Sequence, residues 1–125
     1  DENKSFLFWI SAKSKPYYYD LLPLIIENYL LSDDKIQKGK NIAENICSVC
    51  HGVNGQANTG GNSILVPHLT AQNEYYLIEK LKAYKSKKLE HHQMSLIADM
   101  LTAEDIENVS KWYSSIKINI EKIAD

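Results

Sequence analysis

This chain has no arginine. All fourteen basic residues are lysine, so the flat bidentate fork that clamps phosphate or carboxylate is missing. No apolar run in the sequence reaches the ~18 residues that a bilayer span requires. Cysteine is scarce, with two in 125 residues, and so are proline (three) and glycine (five). Charge of one sign is also lacking: fourteen Lys against sixteen Asp and Glu leave a formal net charge of −2. That excludes the basic footprint of a nucleic-acid binder. Internal repeats are not visible. What is present is ordinary for a globular chain, with 44% apolar and 24% charged residues, and it argues against disorder. The length suits one domain with an appendage, built on a single core. The chain opens Asp1-Glu2-Asn3-Lys4, then a short apolar run Phe6–Ile10. This is not the pattern of a secretory leader, so either one was removed or the protein was never exported.

Hydrophobic spacing predicts helices throughout and no strand. A Lys/Ser/Pro break at Ser11–Pro16 separates the first apolar run from a second, Tyr17–Leu31. The second reads as a helix with Pro23 in its first turn, where the missing N–H costs nothing. Ser32-Asp33-Asp34 reads as an N-cap cluster. Behind it, Ile36, Gly39, Ala43 and Ile46 mark a helix over 33–46. Residues 52–66 are turn-rich, with Gly52, Asn54, Gly55, Asn58, Gly60, Gly61 and Asn62. A loop of that length inside a small domain wraps or binds something. Asn73 caps a predicted helix over 74–87, with Leu77, Leu81 and Tyr84 on one side. A polar loop Glu90-His91-His92-Gln93 leads to Met94 and a short helix at about 95–100. Thr102-Ala103-Glu104-Asp105 resembles a capping box. Ile106, Val109, Tyr113, Ile116, Ile120 and Ile123 then follow at alternating steps of three and four. The fold class is all-α.

The residues that carry chemistry are Cys47-Ser48-Val49-Cys50-His51. Two thiols three apart with His directly after them match the attachment pattern of a c-type haem. At that spacing both thiols reach the vinyl groups on one porphyrin edge, and the adjacent His lies under the iron. Other readings remain open. A thioredoxin-type CxxC needs a preceding strand, and none is predicted. A structural zinc site needs four ligands, which His68, His91 and His92 could complete. A Cys47–Cys50 disulfide would close too small a loop to stabilise much. For the sixth iron position the soft thioether of Met is a usual partner to His. Met94 lies 43 residues after His51, behind the polar loop, and Met100 reads as core filler within a helical pattern. A histidine from position 68, 91 or 92, or an open position, are the alternatives.

The segment Asp33–Lys117 resembles the class I cytochromes c, in particular the small bacterial c4, c5 and c553 types. The resemblance rests on an ordered series. Gly39-Lys40 stands eight residues before Cys47, where the family places a glycine at a helix crossing. Cys47–His51 runs on into Gly52-Val53-Asn54-Gly55, and Pro67-His68-Leu69 is similar to the family's PxL. Asn73–Leu81, Tyr84-Lys85, Met94–Ala98, Leu101–Ile106 and Trp112–Ser115 match later motifs of the family in order. The resemblance implies a cytochrome c fold of three to five helices around one covalently attached haem c. By it, Cys47 and Cys50 form the thioethers, and His51 and Met94 bind the iron. Pro67 would accept a hydrogen bond from the His51 ring, while Leu69, Leu77, Leu81 and Tyr84 line the haem. It also implies that Trp112 or Tyr113 packs where the first and last helices cross at Gly39. Where the family has GxR, this chain has Lys87-Lys88-Leu89, which removes an Arg that often serves a haem propionate.

By the same resemblance the domain is 32–125, and 1–31 is a partly helical N-terminal extension. The implied function is one-electron transfer between redox partner proteins (an oxidase, reductase or dehydrogenase) in a bacterial periplasmic respiratory chain, with a signal peptide already removed. Iron bound by His and Met leaves no position for substrate, so the protein is not expected to be an enzyme. The lysines at 80, 82, 85, 87 and 88 read either as a solvated helix face or as a patch that steers an acidic partner. A second reading makes residues 1–31 the docking element of a larger oxidoreductase or of a homodimer, with membrane association only through partners. A third, an enzyme or gas sensor, requires that Met94 does not bind the iron.

Overall fold

In a computed structural model of the chain, the described residues are 15–57 and 65–119, with side chains from residue 23 onward. The run Phe6–Ile10, the loop residues Asn58, Gly60, Gly61 and Asn62, and Ile120 and Ile123 lie outside them. Among the described residues every regular element is helical and no strand occurs. In chain order the elements are α1 (Lys15–Ile42), a π-helical turn (Ala43–Cys47), α2 (Ser48–His51), α3 (Glu74–Lys85), α4 (His92–Met100) and α5 (Ala103–Ser115). No helix among the described residues is long and apolar enough to cross a membrane. The chain divides into two compact units, Asp1–Asp34 and Lys35–Asp125.

Two expectations for the first unit need correction. Ser32-Asp33-Asp34 does not start a helix, because α1 runs through it without a break. Asp33 and Asp34 are exposed, where polar side chains in a helix cost only a few tenths of a kcal/mol. Pro23 lies in the interior of α1, not in its first turn, which holds Pro16 instead. Pro23 thus has no N–H to return to the carbonyl four residues earlier. Leu24, Ile25, Ile26, Tyr29, Leu30 and Leu31 are all more than half exposed.

The second unit is built on α3 and α5. Asn73 opens α3, its side chain accepting the N–H of Tyr76 at 3.0 Å. Thr102 and Asp105 form a reciprocal capping box at the start of α5, with bonds of 3.1 and 2.9 Å. The last helix is shorter than its apolar spacing predicts. It ends at Ser115, and Ile116 is already extended. The short helix before it begins earlier than predicted, at His92, because the His91 side chain caps it. Met100, expected as core filler, is exposed, and neighbouring Leu101 takes the buried place. Helix α3 packs against both α4 and α5. The core gathers Ala43, Leu77, Val109 and Tyr113, with Ile42, Cys47, Leu69, Leu81, Trp112 and Ile116 against them.

The crossing that closes this core depends on Gly39. A methyl group there would overlap the Asn108 carbonyl and stand 3.0 Å from Trp112 Cβ. Only a residue without a side chain lets the C-terminal turns of α1 lie this close to α5. Trp112 continues the contact, its indole N–H donating to Val53 O at 2.8 Å and its ring lying under the Lys40 ammonium.

Candidate haem site

The π-helical turn Ala43–Cys47 leads directly into α2, so Cys47 and Cys50 lie on one continuous helical stretch. Such a turn inserts one extra residue per turn and re-aims whatever follows it. Cys47 and Cys50 are free thiols three residues apart, and residues at that spacing share a helix face. Gly52 then turns the chain away at φ 77° and ψ 155°, a conformation essentially reserved for glycine. Its carbonyl accepts the Tyr113 hydroxyl at 3.0 Å.

His51 is only 8% exposed. Its Nδ1 lies 2.9 Å from Pro67 O. A carbonyl oxygen only accepts, so Nδ1 carries the proton and Nε2 keeps its lone pair for a metal. Burial holds the ring below the usual histidine range, opposed by the Pro67 carbonyl. The ring is therefore neutral and oriented before any metal binds, as second-shell hydrogen bonds achieve in metal sites. The loop carrying Pro67 is itself anchored, with Leu69 N donating to Gly55 O at 2.7 Å.

Burial pushes the Cys47 thiol up to about 11, with a hydrogen bond to Tyr113 pulling the other way. The Tyr113 hydroxyl is raised as well, chiefly by burial. Burial disfavours the thiolate through which thiol–disulfide exchange works, and among the described residues no strand precedes Cys47, so a thioredoxin-type CxxC does not fit. Nor does zinc: no group of three or more His, Cys, Asp or Glu side chains gathers among the described residues. The donor set that is present, two thiols on one helix face and a single oriented imidazole, suits a haem.

The structure gathers Cys47, Leu69, Leu77 and Leu81 into the core cluster, with His51 buried beside Gly52. Tyr84 and Met94 are half-buried. Tyr84 meets the His91 ring edge-on at 6.2 Å. Met94 occupies the first turn of α4, where its N–H donates to His91 Nδ1 at 3.2 Å. Among the lysines, Lys85 Nζ is bonded to the carbonyls of Ala98, Asp99 and Leu101. Lys82 pairs with Glu79, and Lys80 lies over the Tyr76 ring. Sequence reasoning missed the roles of Lys85 and His91. The π-helical turn was equally invisible, since no residue pattern announces it.

Comparison with known proteins agrees with this geometry. The family model "Cytochrome c" matches residues 36–117. A cytochrome c-554(548) from Halomonas halodenitrificans is 35% identical over 72 residues, covering 55% of this chain and 82% of that protein. The family carries covalent haem c, and Cys47 and Cys50 stand where its attachment motif requires them. The chain belongs to the cytochrome c family of haem-based electron carriers.

Proposed function

We propose that this protein is a one-electron carrier whose iron is held by His51 and Met94, working between redox partners in a bacterial periplasmic respiratory chain. Haem c on Cys47 and Cys50 supplies the iron that cycles between ferric and ferrous states. The single observation that carries the reading is the His51–Pro67 hydrogen bond, which leaves Nε2 as the coordinating atom. Pro67 O fixes the ring plane and makes the imidazole more electron-rich. Leu69, Leu77 and Leu81 exclude water, and Tyr84 supports the start of the Met94 helix through His91. Thioether ligation and burial set the potential. Haem held by both His51 and Met94 would keep no iron position for substrate, which supports a carrier rather than an enzyme. Val49, between the two thiols, is exposed, so partners dock weakly and transiently over this edge. We take 32–125 as the haem domain and 1–31 as its N-terminal extension.

The test is Met94→Ala in the matured protein. The oxidised wild type is expected to have the weak near-infrared sulfur-to-iron band, and the variant to lose it and bind CO when reduced. Retention of that band in the variant refutes Met94 as ligand.

The exposed residues Leu24, Ile25, Ile26, Tyr29, Leu30 and Leu31 favour one addition, a docking role for the extension. An apolar patch of this kind marks an interaction surface, here with a second copy or an oxidoreductase subunit. Sedimentation of the full chain and of Ile25→Glu/Leu30→Glu checks the homodimer. A dimer that dissociates in the variant supports it, and a monomer in both excludes it.

A further inference from the structure

Helix α4 is nine residues long and carries Met94 in its first turn. A helix this short has little stability of its own, so whatever holds its ends decides how firmly Met94 is presented. Both ends are held by the last turn of α3. At the start, the His91 side chain accepts the Met94 N–H at 3.2 Å, and the His91 N–H donates to Ser95 Oγ at 3.1 Å. The His91 ring in turn lies against Tyr84. At the other end, the next residue of α3 reaches across. Lys85 Nζ donates to Leu101 O at 2.6 Å, Asp99 O at 3.2 Å and Ala98 O at 3.4 Å.

Carbonyls at a helix C-terminus lack the usual intrahelical N–H; Ala98 O is met by Leu101 N at 3.1 Å, and the Lys85 ammonium adds to it and serves Asp99 O and Leu101 O. An ammonium has three donors and meets three acceptors here. It also lies at the negative end of the helix dipole. Lys85 keeps exposed surface, but its head group is bonded to backbone oxygens at the end of the Met94 helix.

We propose that Lys85 is a positioning residue for the iron site. By tying the C-terminus of α4 to α3, it holds Met94 against replacement by competing ligands. This rests on the reading of Met94 as the axial ligand. Loss of the Lys85 bonds lets α4 fray from its C-terminal end and loosens the methionine without touching the haem or its partners.

The experiment is imidazole binding to the oxidised holoprotein, followed by loss of the sulfur-to-iron band, for wild type, Lys85→Met, Lys85→Arg, Lys82→Met and Met94→Ala. Breaking one charge-assisted hydrogen bond corresponds to imidazole binding about tenfold tighter in Lys85→Met. Lys85→Arg restores the wild-type constant, and Lys82→Met, which removes the same charge from the same helix, leaves it unchanged. A merely structural cap would lower the melting temperature of Lys85→Met without moving the imidazole constant, and that result overturns the proposal. If Lys85→Met does not mature, Lys85→Gln keeps an uncharged donor group and is expected to shift the constant in the same direction by less. An unshifted constant in Lys85→Gln overturns the proposal equally. Met94→Ala separates the two claims. If it keeps the wild-type band and imidazole constant, Met94 is not the ligand and both readings fall. If it loses the band while Lys85→Met binds imidazole as wild type does, only the Lys85 role falls.

Discussion

Replacing Gly39 with alanine adds one methyl group where the backbone of α1 lies against that of α5. That methyl would lie 2.5 Å from the Asn108 carbonyl carbon and 3.0 Å from Trp112 Cβ. Non-bonded carbons prefer about 3.5–4.0 Å, so α1 and α5 must part by about 1 Å. Backbone cannot rotate out of the way as a flexible side chain could. Overpacking of this kind costs about 1–3 kcal/mol, and more where backbone must move. The separation also stretches the Trp112–Val53 hydrogen bond and loosens Ala43, which has no exposed surface. We expect a loss of about 3 kcal/mol, or a melting temperature lower by about 12–24 °C for a unit of this size. Thermal unfolding of the matured protein, followed by helical circular dichroism, is the assay. A shift of less than about 4 °C, equivalent to under 1 kcal/mol, would refute the crossing geometry and the reasoning built on it.

Other substitutions test separate parts of the account. Lys87 adopts φ 62° just beyond α3, a conformation that costs an L-residue about 1–2 kcal/mol. Lys87→Gly should therefore raise the unfolding free energy by about 1 kcal/mol and move the urea midpoint upward, and an unchanged or lower midpoint would contradict this. Tyr113→Phe removes the hydroxyl donor to the Gly52 carbonyl, which keeps its bond from Gly55 N at 3.1 Å. The loss of one buried hydrogen bond should cost about 0.5–1.5 kcal/mol in denaturant unfolding, and an unchanged unfolding free energy would contradict this.

What could be read in the sequence was whatever depends on local chemistry. Asn73 and the Thr102–Asp105 pair are helix caps because their short polar side chains fold back on nearby N–H groups. That geometry needs only four residues to specify. Cys47, Cys50 and His51 were legible for the same reason, as a spacing within five residues. The misreadings lie where distant contacts override local preference. Ser32-Asp33-Asp34 has the composition of a cap, yet exposed polar residues also continue a helix at small cost. The apolar spacing of α5 runs on through Ile116 to Ile123, but the helix stops at Ser115. Tyr113 O accepts instead from Ala71 N at 2.9 Å, from a loop remote in sequence. Lys85 looked like one member of a charged run because nothing in its neighbourhood reveals the carbonyls of 98–101. His91 is not among the usual capping residues, and its role follows from the ring finding the Met94 N–H and the Tyr84 edge together.

The central claim is that His51 and Met94 both hold the iron and leave no open position. An optical spectrum of the matured protein, oxidised and reduced, with and without CO, tests it most directly. The account predicts sharp reduced bands, the near-infrared sulfur-to-iron band in the oxidised state, and no change on adding CO. A missing sulfur band together with a CO-induced shift would contradict it and place an open iron site in this fold.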